Sequence, residues 1–139
     1  MRRPFSLLPA AVALVPGAAL FVHLRLLGSD PAADAVLPRP PAAVRLRFSQ
    51  RAEVAVTRVR LVGPNGPVAL GPVERADVAA ARASEIRRTP ASPTRGDDAV
   101  AVPIRGAMPP GAYTVEWRTM AADGHPVAGR VAFRVAAPR

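Results

Sequence analysis

Two histidines occur in the 139 residues of this chain, and each stands where its neighbours raise a chemical question. His125 lies in "AADGHPVAGR", residues 121 to 130, with Asp123 two positions before it and Gly124 between them. His23 follows an apolar run at the front of the chain. Imidazole and carboxylate serve both proton transfer and metal binding. Gly124 permits a tight corner in which Asp123 and His125 point the same way. Two readings are open from the residues alone. The corner is either an exposed turn in which Asp123 makes an Asx bond, or one half of a metal site whose other half is His23. Other chemistry is poorly supplied. The absence of cysteine excludes a disulfide framework, thiolate ligands and a cysteine nucleophile. Ser29 and Ser49 have no base placed near them in sequence, so a hydrolase triad has no support. The adjacent Asp97 and Asp98 fall in a stretch that reads as a loop, where carboxylates are solvated.

The elements that must position these residues read as strands. With 17 prolines and 10 glycines, the composition argues against long helices and for short strands joined by turns. "AVRLRFS" alternates, with Val44, Leu46 and Phe48 on one face and Arg45 and Arg47 on the other. In "EVAVTRVRLV", Val54 and Val56 share one phase and Val59 and Leu61 the other, which predicts a bulge or a bend between sheets near Thr57 and Arg58. "GPNGP" is a turn and "PVAL" a short return strand. Residues 71 to 98 read as a long, partly ordered connection, and "AVAVPI" as a strand. "AYTVEWRT" turns Tyr113, Val115 and Trp117 inward. "VAGRVAFRV" puts Val127, Gly129, Val131, Phe133 and Val135 on one face. The link between these two strands, "MAADGHP", suits antiparallel neighbours. Many short strands with frequent turns predict a β-sandwich.

Charge and length narrow the class. The net charge is +9 and every basic residue is arginine. The arginines are scattered, and aromatics make up only 4% of the chain, so neither a basic stripe nor a stacking platform for nucleic acid is evident. No nucleic-acid partner is expected. Residues 1–22 carry two arginines and then an apolar run from Phe5 to Val22, the pattern of an export signal. Ala19 with Gly17 two before it suits cleavage ahead of Leu20, whereas cleavage directly before His23 has the poorer residues Val22 and Leu20. The run is about long enough to cross a bilayer, so an uncleaved membrane anchor is the other reading. The expected organisation is a signal peptide or anchor over 1–22 and one β-sandwich domain over 23–137.

Two blocks resemble the copper-resistance CopC family of exported copper-binding proteins. "HLRLLGSDPAADAVLPRPPAAVRLRFSQ" is similar to the family opening through His23, Leu26, Ser29, Pro31, Val44, Leu46, Phe48 and Ser49. "PPGAYTVEWRTMAADGHPVAGRVAFRV" resembles the family ending, G-x-Y-T-V-x-W-R followed by D-G-H-P-V-x-G. The resemblance covers nearly all of the chain after the leader. It implies an all-β, immunoglobulin-like, seven-stranded β-sandwich of Greek-key topology. It also implies one Cu(II) ion held by His23, Asp123 and His125, in a periplasmic protein that is not an enzyme and that buffers copper, confers resistance or delivers the metal to a CopD-like inner-membrane copper transport protein. Imidazole nitrogen and carboxylate oxygen in a tetragonal set suit Cu(II). If processing exposes His23 as the first residue, its amine adds a nitrogen donor on losing a proton. Met108 and Met120 are the only methionines after Met1, so no dedicated Cu(I) site is expected.

Two alternatives belong to other classes. One is a structural immunoglobulin-like module whose copper site has degraded. The other is a copper oxidase with a histidine brace, against which Asp123 stands as a group that would fill the coordination plane.

Overall fold

The computed structural model describes residues 23–76 and 98–138. The leader expected over 1–22 lies outside the described residues. Among the described residues there is no helix long and apolar enough to cross a membrane.

Among the described residues, nine strands form two sheets. β1 (Leu26–Asp30), β3 (Ala43–Phe48), β7 (Asp98–Pro103) and β6 (Glu74–Ala76) make one sheet in the order β1-β3-β7-β6. The other has the order β2-β9-β8-β4-β5, from β2 (Val36–Leu37), β9 (Pro126–Val135), β8 (Gly111–Met120), β4 (Arg58–Gly63) and β5 (Gly66–Val68). β1-β3-β7-β6 facing β4-β8-β9 is the seven-stranded immunoglobulin arrangement. The two short pieces extend one sheet only: β2 pairs in parallel with β9, and β5 returns along β4.

The alternation read from the sequence becomes the two inner faces. Val44, Leu46 and Phe48 of β3 meet Tyr113, Val115 and Trp117 of β8 and Val131, Phe133 and Val135 of β9, all buried. Each such side chain withdrawn from water contributes on the order of 1.5–3 kcal/mol. Few rings are available, and they are placed to contact one another. Phe48 meets Trp117 edge-on at 5.2 Å, and Tyr113 stacks on Phe133 at 5.4 Å. The Tyr113 hydroxyl donates to the Pro109 carbonyl, four residues upstream, and so ties down the corner that feeds β8. Burial raises the pKa of this phenol.

Two sequence expectations are sharpened and one changes. The phase slip near Thr57 is a bend between sheets, but it is made by a 3-10 turn over Val54–Val56 rather than by a bulge. The Thr57 amide reaches the carbonyls of Glu53 and Val54, and its buried hydroxyl donates to the Glu53 carbonyl. These bonds end the turn, and strand begins at Arg58. The connection expected from 71 to 98 is in part strand, since β6 pairs with β7 through Arg75 and Val100. Residues 77–97, including Asp97, lie outside the described residues. Asp98 is not a solvated loop carboxylate. It opens β7, accepts from Arg75 at 2.6 Å and takes the Ala52 amide at 3.0 Å.

Candidate metal centre

The D-G-H corner is the tip of the longest hairpin. β8 and β9 pair in register from Gly111 opposite Val135 to Met120 opposite Pro126, so ten residue pairs hold the loop rigidly at its base. The loop closes on itself through Ala121 N–H to His125 O at 3.0 Å and Gly124 N–H to Ala121 O at 2.9 Å. Gly124 has φ 84°, which side chains other than hydrogen rarely tolerate. Open space surrounds the position where its Cβ would stand, so backbone conformation alone demands glycine there.

Within the loop, Asp123 grips its neighbour twice. Oδ1 accepts the His125 backbone N–H at 3.1 Å, and Oδ2 lies 3.1 Å from His125 Nδ1. The Asx bond and the side-chain pairing therefore occur together. The His125 N–H holds the Asp123 carboxyl below its ordinary pKa, the imidazole contact adds to this, and the charges of His125 and His23 push the same way. With neutral imidazole the Nδ1–H tautomer meets Oδ2, and Nε2 is left as the lone pair offered outward. The His125 side chain is 72% exposed, so that nitrogen is open to an arriving ion.

His23 approaches from the opposite end of the sequence. It is exposed and precedes β1, while the next residue, Leu24, is 2% exposed and packs in the same core cluster as Trp117 and Ala121. The Arg25 N–H donates to Ser49 Oγ at 3.0 Å, and the Ser49 N–H donates to Arg25 O at 2.9 Å. Leu24 and this pair of bonds fix the approach. They bring His23 to the end of the sandwich that carries the D-G-H corner, within reach of the Asp123 charge. The three side chains are nonetheless not gathered into a closed set. Among the described residues there is no group of three or more His, Cys, Asp or Glu side chains that could hold a metal ion. Asp123 and His125 are held together, and His23 stands apart from them.

Leu24 was not identified from the sequence, where it sits at the edge of the leader. Its signal is the alternation Leu24, Leu26 after His23. Ser49 and Ser29 serve the backbone: Ser29 Oγ donates to Pro31 O at 2.7 Å and is buried. Beneath the corner, Trp117 Nε1 is buried and lacks a hydrogen-bond partner, the one such side-chain atom among the described residues. Met108 is buried in the core, whereas Met120 stands exposed on the hairpin, so the two thioethers do not converge.

Comparison with known proteins follows the same outline. The family model described as "CopC domain" matches residues 26–136. Protein YobA of Escherichia coli K12 is 27% identical over 117 residues, spanning 84% of this chain and 81% of YobA. Copper transport protein CutJ of Bacillus subtilis is 25% identical over 115 residues; these are 83% of this chain but 18% of that longer protein. The crystal structure of PcoC, a methionine-rich copper resistance protein from Escherichia coli, superposes with a TM-score of 0.57 at 26% identity, over 81% of this chain and 98% of PcoC.

Proposed function

This chain belongs to the CopC domain family of copper resistance and transport proteins, and on that premise we propose that it is an exported periplasmic protein that binds one Cu(II) ion through His23, Asp123 and His125. The observation that supports this most directly is the Asp123–His125 pair, with both carboxylate oxygens occupied by the histidine that follows. Its Nε2 lone pair faces solvent at a rigid hairpin tip. Asp123 thereby orients the imidazole, and a small rotation of its carboxylate turns one oxygen toward the same ion. His23 supplies the second imidazole by a short movement about the buried Leu24. An ion held at an exposed tip by three residues is easily loaded and easily passed on, which suits buffering or hand-over to a CopD-like membrane transport protein better than a catalytic role.

A specific observation favours one alternative, a sandwich whose copper site has degraded: the three ligands are not assembled. Isothermal titration with Cu(II) separates the two. The copper-binding reading expects one ion per chain and a marked loss of affinity in His125→Ala. Equal affinity in wild type and variant contradicts it.

A further inference from the structure

Among the described residues, charge is unevenly divided between the two faces of the sandwich. Residues opposite one another on neighbouring strands share a face, and so do alternate residues along a strand. On the outer face of the β2-β9-β8-β4-β5 sheet, the register sets Arg58 beside Arg118, Arg60 and Arg130 on either side of Glu116, and Arg134 beside Val36. All five arginines are exposed. Glu116 is the one carboxylate among them. It lies 3.6 Å from Arg60 and 3.6 Å from Arg130, too far for more than weak pairing at a surface. On the outer face of the other sheet Arg47 is buried, and the charges that reach solvent are Arg45, Asp30 and Glu74, with Arg45 3.2 Å from Asp30. Among the described residues the arginine excess lies on one sheet.

The texture of that face indicates its partner. Between the arginines stand small side chains, Ala112, Thr114, Ala128 and Ala132, so the guanidiniums are the groups that protrude. No aromatic anchor of the kind that centres protein–protein interfaces lies on it among the described residues. Two exposed apolar side chains flank it, Val36 at 64% and Met120 at 37% exposure. Guanidiniums spread over a flat sheet, with apolar groups at the margins, complement an extended layer of phosphates overlying hydrocarbon. We infer that the outer face of the five-stranded sheet docks on an anionic phospholipid bilayer. Met120 adjoins the 121–125 loop, so a domain lying on this face holds the D-G-H corner at headgroup level. The docking is independent of copper.

The test uses the full-length protein and vesicles of phosphatidylcholine alone or with phosphatidylglycerol, read by energy transfer from the single tryptophan, Trp117, to a dansyl-labelled lipid. An apolar leader holds both vesicles alike, so the readout is the ratio of anionic to neutral affinity. Each basic residue at an anionic surface strengthens binding by a factor of about five. Arg58 is left alone because it also bonds the Ala55 and Thr57 carbonyls. The fourfold variant Arg60→Glu, Arg118→Glu, Arg130→Glu, Arg134→Glu is expected to lose the anionic preference by more than about tenfold. A control with the same net charge, Arg25→Glu, Arg39→Glu, Arg51→Glu, Arg105→Glu, alters exposed arginines elsewhere and is expected to keep most of it. If the first set disturbs the near-ultraviolet dichroism, glutamine at the same four positions gives the same reading. Equal losses in the two sets overturn the proposal, as does a wild-type protein indifferent to phosphatidylglycerol. Wild-type binding to polyglutamate without any vesicle preference also overturns it, in favour of an acidic protein partner.

Discussion

At the scale of single residues, His125 and Asp123 have separable roles. On the proposed reading His125 offers a metal-binding nitrogen, and Asp123 both sets which nitrogen that is and adds a carboxylate oxygen. Removing the imidazole should cost more than neutralising the carboxylate that orients it and shares the ion. Cu(II) affinity by competition titration should fall by more than about 100-fold in His125→Ala and by about 10- to 100-fold in Asp123→Asn, the range typical of groups that position a ligand. Acidification weakens binding because both imidazoles must be neutral to ligate. Asp123 adds to that loss only as pH falls through its own depressed value. Its carboxyl is held below the ordinary value of 3.8, chiefly by the His125 N–H. A depressed folded-state value means that the turn gains its stabilisation above the unfolded carboxylate range and loses it only as pH falls through the lower folded value. A carbon-detected NMR titration of the Asp123 carboxyl should give a midpoint under 3.8. A midpoint above that value would remove the Asx bond from the account.

At the scale of elements, the hairpin and the first strand carry the site, and they were unequally legible. Alternation in "AYTVEWRT" and "VAGRVAFRV" is strict, so β8, β9 and the face each residue takes followed from the sequence. The bend at Thr57 was visible only as a change of phase. What decides between bulge and turn is the Thr57 hydroxyl, bonded to the Glu53 carbonyl and 2.7 Å from Thr119 Oγ1 on β8, a contact 62 residues away that no local pattern reveals. Leu24 was hidden for a similar reason, because its burial depends on a partner surface built much later in the chain. The ligand assignment came from resemblance, since two histidines and an aspartate are too few for their spacing alone to specify a metal. Four substitutions test how these elements hold the site. Gly124→Ala should cost about 1–2 kcal/mol by urea unfolding, because φ 84° is strained for any side chain. Gly129→Ala puts a methyl 2.6 Å from Trp117 Cζ2, so the ring must shift, and a loss of about 1–3 kcal/mol is expected together with altered near-ultraviolet dichroism. Leu24→Ala should destabilise by about 2–5 kcal/mol and also weaken Cu(II) binding by freeing His23. An equally destabilising Leu46→Ala, buried but remote from His23 in the chain, should leave copper affinity near wild type.

At the scale of the whole molecule, the sandwich works as a frame with two differentiated regions. One end brings the front of the described chain beside a hairpin tip near its back. Among the described residues, the outer face of one sheet gathers arginine and the opposite face does not. The charge excess was counted from composition, but its segregation was not legible. Scattered arginines become a patch only when β4, β8 and β9 are laid side by side in register. We propose that Cu(II) is taken up and released at that end through His23, Asp123 and His125. Pulsed electron paramagnetic resonance of the Cu(II)-loaded protein tests this most directly by counting coordinated imidazoles. One tetragonal Cu(II) with two imidazoles in the wild type, and one in each of His23→Ala and His125→Ala, is the predicted result. A wild-type spectrum unchanged by both substitutions would contradict it.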